Sequence, residues 1–393
     1  MSVQSMDQKV LENINRSNIR IDDYIKINEK LQRNGRSTKA ELIIGLPGET
    51  KDSFIKGVES VVESGASSTT IYTLMLLHGT EFKDPTYRAL HGIKGKYRIV
   101  PLNYGEYDGY KVFDYEEVGV ENNTMLFEDY VYLRSYALLV EVLMNGRPFE
   151  PLFQYGKELG VSRANLLRRL HENIDSAPDE VQEISNQFLA ETKSELWDSE
   201  AELVRHYSKE ENYQSLVNGE VGGNLIFKYK AKSLVYAIQQ WIDYLAVQLS
   251  DVISNADHDE KTRKRRSFEL EALSRFSKHR LTSMLDARGD TSPIVDFFHC
   301  QIPNWLAAKS DDPLEAYELK ESAQCVFEYT SQQLQMREDV FSRYGTDTNA
   351  LSKIVTRVSN IESLFRKVRC SGIDSLSPTT KFEDSFTRYA LSN

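Results

Sequence analysis

The clearest chemistry-bearing feature is the turn at residues 45–50, which reads Gly-Leu-Pro-Gly-Glu-Thr. It follows a short β-branched run at residues 40–44 and precedes a stretch whose apolar residues have helical spacing. The turn is therefore expected at the carboxyl end of a strand, where backbone N–H groups of α/β proteins can meet a polar ligand. It lacks the Gly-Lys-Ser/Thr of a Walker loop and the glycine spacing of a dinucleotide fingerprint. A plain strand-to-helix turn that needs glycine dihedrals is the alternative interpretation.

Other common catalytic and metal-binding patterns do not occur. The seven histidines include no His-x-x-x-His pair, and no Gly-x-Ser-x-Gly elbow occurs. The three cysteines, Cys300, Cys325 and Cys370, lie far apart, which predicts neither a disulfide framework nor a cysteine-rich metal site. We therefore assign no catalytic residue and no metal ligand from these patterns, and we expect a reducing compartment.

Length and composition limit the class of protein. A chain of 393 residues that is 40% hydrophobic and 27% charged is expected to form two or three folded domains. The net charge of −11 argues against broad adhesion to nucleic acid or to anionic membranes. Apolar runs are too short to cross a bilayer, so we expect a cytoplasmic protein without a membrane span.

The elements that must position the turn form a βαβ unit. The strand at 40–44, the helix after Thr50 and a second apolar strand at 71–77 predict a parallel sheet. Tyrosines alternating with aliphatic residues between Gly92 and Glu121 predict a β-ribbon. Helical periods dominate from Leu126 onward, and we predict later helices over these ranges: 161–173, 178–208, 229–253, 266–286, 313–322 and 347–370.

Three ordered segments resemble the radical S-adenosylmethionine superfamily, in particular its cobalamin-binding branch. Residues 2–16 place Gln4-Ser5 before a helix that begins near Asp7, as after the fourth strand of that family's barrel. Residues 41–50 and 71–80 match the family's fifth and sixth strands. The match is specific over about residues 1–80 and looser up to Tyr130.

The resemblance implies a role for each matching residue. Gln4 and Glu41 would bind the ribose hydroxyls of S-adenosylmethionine, Arg16 would bind its carboxylate, and Ile43 would pack on the adenine. It also places three residues of the turn in cofactor binding: Gly45, Pro47 and Gly48. A diol needs acceptors, a carboxylate suits a guanidinium and a purine face suits an apolar wall. The alternatives are a capping neighbour for Gln4, a solvated face for Arg16 and an edge charge for Glu41.

The chain departs from the family because it has no Cys-x-x-x-Cys-x-x-Cys loop to hold a [4Fe–4S] cluster. The resemblance thus implies the C-terminal part of a (β/α) barrel at residues 1–118, followed by a mostly helical domain at 119–393 with a sub-boundary near 255–265. This α/β plus α chain would be inactive alone. A separate N-terminal polypeptide would supply the cluster and any cobalamin-binding domain, and the substrate is unknown. We expect residues 1–118 to be poorly stable without that partner.

Two other functions remain open. One is a non-catalytic helical interaction or scaffold protein that keeps a relic barrel half. The other is DNA binding by a helix-turn-helix near residues 158–170, in which Ser162 caps a helix that presents Arg163, Arg168 and Arg169. The negative net charge favours a helical hairpin with solvated arginines over the DNA-binding interpretation.

Overall fold

The computed structural model describes residues 2–34, 36–256, 259–308, 311–357 and 361–371. The chain divides into two compact units. The first unit contains the residues up to Asn145 together with Val181–Lys232, and the second contains Gly146–Glu180 and the residues from Ser233 onward.

The first unit contains the predicted parallel sheet. Strands β1 (Ser2–Gln4), β2 (Lys39–Ile44) and β3 (Ser68–Thr73) lie side by side in that order and run parallel. Three helices connect them: α1 (Gln8–Asn13), α2 (Ile21–Arg33) and α3 (Lys51–Glu63). The predicted α/β character of this region is confirmed; a closed barrel is not shown.

Alternation along the strands explains the two faces of this sheet. Ala40, Leu42 and Ile44 are buried, whereas Glu41 and Ile43 point to the opposite, half-exposed face. Helix α3 begins with a capping box between Thr50 and Ser53 and buries its apolar side, which includes these residues: Phe54, Ile55, Val58, Val61 and Val62. The buried residues are therefore those that the strand period of two and the helix period of 3.6 predict from the sequence.

The predicted ribbon is a long antiparallel hairpin that continues the sheet. After α4 (Pro85–His91), strands β4 (Lys94–Tyr107) and β5 (Tyr110–Glu121) pair around a turn in which Gly109 has φ +81°. The segment that follows β3 forms backbone hydrogen bonds with this hairpin. Gly119 N–H donates to the Leu74 carbonyl (2.8 Å), and Leu76 N–H donates to the Glu117 carbonyl (2.8 Å). The hairpin thus lies against the extension of β3 past the carboxyl edge of the sheet.

A buried polar network ties the first unit's helices to β3. It involves α5 (Phe127–Leu143), and Glu141 on that helix forms an ion pair with Lys230 at 2.7 Å. Asn145 bonds the backbone of Thr69 like a strand neighbour: its Oδ1 accepts from the N–H (2.8 Å) and its Nδ2 donates to the carbonyl (2.9 Å). Glu141 accepts a further bond from Asn145 Nδ2. All four residues, Thr69, Glu141, Asn145 and Lys230, are less than a tenth exposed.

The remaining helices have these bounds: α6 (Glu150–Glu158), α7 (Arg163–Glu172), α8 (Asp179–Ser194), α9 (Glu200–Tyr207), α10 (Glu210–Val217), α11 (Leu225–Tyr236), α12 (Ile238–Asn255), α13 (Glu260–Leu281), α14 (Ile302–Ala307), α15 (Ser331–Tyr344) and α16 (Thr348–Arg357). The expectation of a helix-rich remainder is confirmed. Within the described ranges, none of these helices combines the length and apolar character that a bilayer crossing requires.

The second unit also contains a sheet that the sequence interpretation missed. Strands β6 (Ile294–Cys300), β7 (Glu318–Glu328) and β8 (Lys367–Cys370) form an antiparallel sheet in that order. The predicted helices at 313–322 and 347–370 are therefore wrong over β7 and β8. Ala323, Cys325 and Phe327 are buried at alternate positions, which is the strand period.

The expectation that the cysteines form no disulfide is also wrong. Cys325 and Cys370 are register partners on β7 and β8 and are joined by a disulfide, with their Cα atoms 4.0 Å apart. Cys300 is a buried free thiol. The separation of the two cysteines along the sequence could not reveal this pairing. The pairing depends on two strands that lie partly in segments predicted as helices.

The arginines of the candidate helix-turn-helix bind within their own unit. Ser162 caps α7 as predicted, accepting from Asn165 N–H at 3.2 Å. Arg163 pairs with Glu150, and Arg169 donates to Gln248 (2.8 Å) and Asp251 (3.1 Å). These contacts favour the helical hairpin over a DNA-reading helix.

We predict that Lys230→Met destabilises the first unit by about 3 kcal/mol, because it leaves the Glu141 carboxylate buried without its cation. Urea unfolding followed by circular dichroism measures the change. The matched control is Lys264→Met, which removes an exposed lysine 2.6 Å from Glu260 and is expected to cost less than about 0.5 kcal/mol. Equal losses in the two variants would contradict the account of the buried pair.

Candidate functional site at the carboxyl edge of the parallel sheet

The turn after β2 needs glycine at both of its glycine positions. Gly45 has φ +96° and Gly48 has φ +90°, in the region that side chains disfavour. A Cβ atom at Gly45 would lie 3.1 Å from the Gly119 carbonyl oxygen, and one at Gly48 would overlap the Asn13 amide. The turn is thus closely packed against β5 on one side and the end of α1 on the other.

Side chains from distant parts of the first unit hold the carbonyls of this turn. The buried Asn122 donates to the Gly45 carbonyl at 3.1 Å, and Asn13 donates to the Pro47 carbonyl at 2.9 Å. Thr124 donates its hydroxyl to the Glu49 carbonyl at 2.7 Å. The backbone conformation is therefore fixed by bonds to its oxygen atoms.

Glu49 is the unusual ionisable group of the turn. Its side chain is 1% exposed, Ser5 donates to its Oε1 at 2.8 Å, and its Oε2 has no hydrogen-bond partner among the described residues. Burial raises the pKa of Glu49 to about 8, with a smaller increase from Asp7 and an opposing effect of the Ser5 bond. Glu49 is thus mostly protonated at neutral pH and has a carboxyl group available to donate a hydrogen bond.

Two of the sequence-predicted site residues share one face of β2. Glu41 and Ile43 both lie on the half-exposed face, where Glu41 pairs with Lys39 (3.0 Å) and accepts a long bond from the Tyr72 hydroxyl (3.4 Å). Gln4 lies on the neighbouring strand, opposite Leu42, with a strained φ of +59°. A carboxylate, an apolar side chain and a side-chain amide thus lie on adjacent strands of one sheet.

Arg16 lies apart from that group. It follows α1, its side chain is exposed, and its backbone N–H donates to the Leu11 carbonyl at 2.9 Å. No hydrogen bond or ion pair connects its guanidinium to Gln4 or Glu41 in the described part of the chain. The buried Pro47 lies within the turn itself.

Sequence reasoning missed three residues that define the site: Glu49, Asn13 and Asn122. Glu49 follows Pro-Gly directly, so the sequence alone could have named it as the only acid in the turn. Its burial, however, depends on tertiary contacts. The polar run 122–124 between a strand and a helix was the available signal for Asn122.

The cysteines do not fit an iron–sulfur cluster. Two of them are bonded to each other, the third is buried, and the described residues contain no group of three or more His, Cys, Asp or Glu that could hold a metal ion. The sheet edge does fit an adenosyl ligand chemically, because it offers Glu41, the Gln4 amide, the Ile43 side chain and the unpartnered Oε2 of Glu49.

Comparison with known proteins finds two similar methyltransferases, one of which is a cobalamin-dependent radical SAM enzyme. Over 186 residues, 46% of the chain, the sequence is 31% identical to the cobalamin-dependent radical SAM methyltransferase TokK of Streptomyces tokunonensis. It is 30% identical over 186 residues to 2-(S-pantetheinyl)-carbapenam-3-carboxylate methyltransferase of Streptantibioticus cattleyicolor. The chain spans 27% of the length of each of these relatives. No family model matches the chain. The relatives support the resemblance to the radical SAM superfamily.

We predict that the Glu49 carboxyl makes the fold less stable as pH rises. Its folded pKa of about 8 exceeds the ordinary value of 4.5, so its contribution is complete below pH 4.5 and is lost as pH rises through about 8. Glu49→Gln keeps an acceptor for Ser5 but cannot ionise. The stability of the variant relative to the original chain should therefore increase by roughly 5 kcal/mol across this range.

Urea unfolding at a series of pH values measures this difference, with Glu106→Gln as the exposed control. A stability difference between the Glu49 variant and the original chain that stays constant with pH would show that Glu49 is ionised in the folded protein.

Proposed function

We propose that this chain is part of a cobalamin-dependent radical S-adenosylmethionine methyltransferase, to which it contributes contacts with S-adenosylmethionine and helices that cover the substrate. The observation that carries the proposal is the identity of 31% over 186 residues with a cobalamin-dependent radical SAM methyltransferase, supported by 30% identity with a second methyltransferase. The glycine turn at the carboxyl edge of a parallel sheet supports it, because ligands of such sheets bind at this edge.

Each residue of the sheet edge has a task in this proposal. Gln4 and Glu41 hold the ribose hydroxyls, and Ile43 packs on the adenine. Gly45, Pro47 and Gly48 form the turn at this edge, and the two glycines permit its left-handed backbone conformation. These positions follow the family resemblance, and the half-exposed face shared by Glu41 and Ile43 agrees with them.

Arg16 is assigned to the carboxylate of the ligand, although in the structure it is solvated. To reach a ligand on the half-exposed face of β2, the segment after α1 would have to close over it. Glu49, with its protonated Oε2, is the further donor at this edge.

S-adenosylmethionine supplies the methyl group and, with a reduced iron–sulfur cluster, the radical chemistry of this class. Since the cysteines here do not fit a cluster, we propose that a separate polypeptide carries it, together with the cobalamin-binding domain, and that this chain is inactive alone. Residues 1–118 would then represent the C-terminal part of a (β/α) barrel. The proposal places the complex in the cytoplasm, and the substrate stays open.

One observation favours the non-catalytic alternative. The bonded Cys325–Cys370 pair and the buried Cys300 leave this chain without cluster ligands, as a scaffold protein that retains a relic barrel half would be. The two functions differ in whether the sheet edge still binds S-adenosylmethionine.

Isothermal titration calorimetry with S-adenosylmethionine separates them. The titration uses the full chain alone and mixed with a cluster-bearing radical SAM polypeptide encoded beside it, produced with iron and sulfide. We expect binding in the mixture, weakened about tenfold by Glu41→Gln because a charged hydrogen-bond acceptor is lost.

Glu106→Gln, an exposed change on the ribbon, is the matched control and should bind like the original chain. Absence of binding in both titrations would overturn the enzymatic proposal in favour of the scaffold. Binding that Glu41→Gln leaves unchanged would contradict the role given to Glu41.

A further inference from the structure

A cavity of about 130 Å³ lies beside β3 in the first unit. Its apolar wall includes Ile71, Met75, Ala137, Leu225 and Phe227. Its polar lining includes the charged residues Arg98, Arg134, Glu141 and Glu195. None of the residues assigned to S-adenosylmethionine lines it, although Tyr72, whose hydroxyl donates to Glu41, is part of its lining.

Arg134 differs from the other charged residues of this cavity in its burial and its partners. It lies on α5, it is 5% exposed, and its Nε has no hydrogen-bond partner among the described residues. It forms no ion pair with any residue that the structure describes; its guanidinium packs 5.7 Å from the ring centre of Phe188. Burial lowers the pKa of Arg134. A guanidinium nevertheless stays charged at neutral pH, and a buried charge without an anion is costly.

The neighbouring carboxylates are already paired with other cations. Arg98 binds Glu116 at 2.7 Å and Glu195 at 3.2 Å, and it also donates to the Thr73 hydroxyl. Glu141 is paired with Lys230. Arg134 is therefore the cation of this cluster, within the described residues, that lacks an anion of its own.

The same charges limit which anion can enter. Arg98, Arg134 and Lys230 balance the carboxylates Glu116, Glu141 and Glu195, so the cluster is neutral before a ligand binds. One added negative charge can be stabilised by the direct bonds to Arg134. A dianion such as phosphate would face three nearby carboxylates with no further unpaired cation, and like charges disfavour it.

We propose that this cavity binds the carboxylate of a small, mostly apolar monoanion, with the guanidinium of Arg134 as its partner. The planar fork of arginine matches a carboxylate in a bidentate geometry. The apolar wall accommodates the body of the ligand, and a cavity of about 150 Å³ is known to hold benzene, so a body of about that size fits. The site goes beyond the proposed function, because nothing in it requires S-adenosylmethionine.

The test is fluorine NMR on the full chain with 4-fluorobenzoate and its uncharged counterpart 4-fluorobenzamide. We expect saturable binding of the benzoate and at least about tenfold weaker binding of the benzamide. Arg134→Met should weaken benzoate binding by a similar factor, and Arg134→Lys should weaken it less because the charge remains. Arg288→Met, at an exposed arginine, should leave it unchanged.

Stability distinguishes a binding role from a structural one. Arg134→Met removes an unpaired buried charge, so its urea midpoint should equal or exceed that of the original chain. A clearly lower midpoint would show that Arg134 is structural and would overturn the proposal. If that variant fails to fold, this counts as the same result.

Three binding outcomes would also overturn the inference: no binding of the benzoate to the original chain at millimolar concentration, equal binding by Arg134→Met, and stronger displacement by inorganic phosphate than by acetate. These probes do not include S-adenosylmethionine. If the benzoate does not bind, the proposed function is therefore unaffected. If S-adenosylmethionine does not bind, the proposal for this cavity is likewise unaffected.

Discussion

The turn between β2 and α3 is the constraint on which the candidate site depends. Its two left-handed glycines let the chain reverse closely against Gly119 and Asn13, and its carbonyls accept bonds from Asn13, Asn122 and Thr124. Those donors come from α1 and from the segment after the ribbon. The turn therefore joins the parallel sheet, the ribbon and α5, and a change that opened it would disturb all three. Glu49 is buried by the same packing, which is why its carboxyl retains its proton.

The buried ionisable groups of the first unit include two kinds. The Glu141–Lys230 pair is satisfied, and through Asn145 it bonds the edge strand β3. Glu49 and Arg134 are buried, and each has a hydrogen-bonding atom without a partner in the part of the chain that the structure describes. A buried polar network whose groups are all hydrogen-bonded holds a fold in one conformation. A buried polar group that lacks a hydrogen-bond partner needs an explanation and often marks a ligand site. Glu49 lies at the sheet edge and Arg134 lies at the cavity beside β3, so the two groups are assigned to different sites.

The sequence predicted the parts of the fold that local patterns determine. The βαβ unit followed from a β-branched run, a glycine turn and a helical period, and the ribbon followed from alternating tyrosines. The second unit's sheet was missed because Ala323, Cys325 and Phe327 alternate within a polar segment that looks weakly apolar as a whole. The disulfide could not be predicted without that sheet, because its two cysteines are register partners on β7 and β8. Glu41 and Ile43 could be assigned by resemblance, but the properties of Glu49 and Arg134 arise from burial by residues far away in the chain, which no short pattern contains.

The central claim is that the carboxyl edge of the parallel sheet binds S-adenosylmethionine. Hydrogen–deuterium exchange of the full chain, mixed with the cluster-bearing polypeptide, tests it most directly when measured with and without S-adenosylmethionine. We expect slower exchange in peptides that cover residues 2–6 and 40–50, since the ligand contacts Gln4, Glu41 and the glycine turn. Protection that is absent from both segments, or that appears only in the second unit, would contradict it.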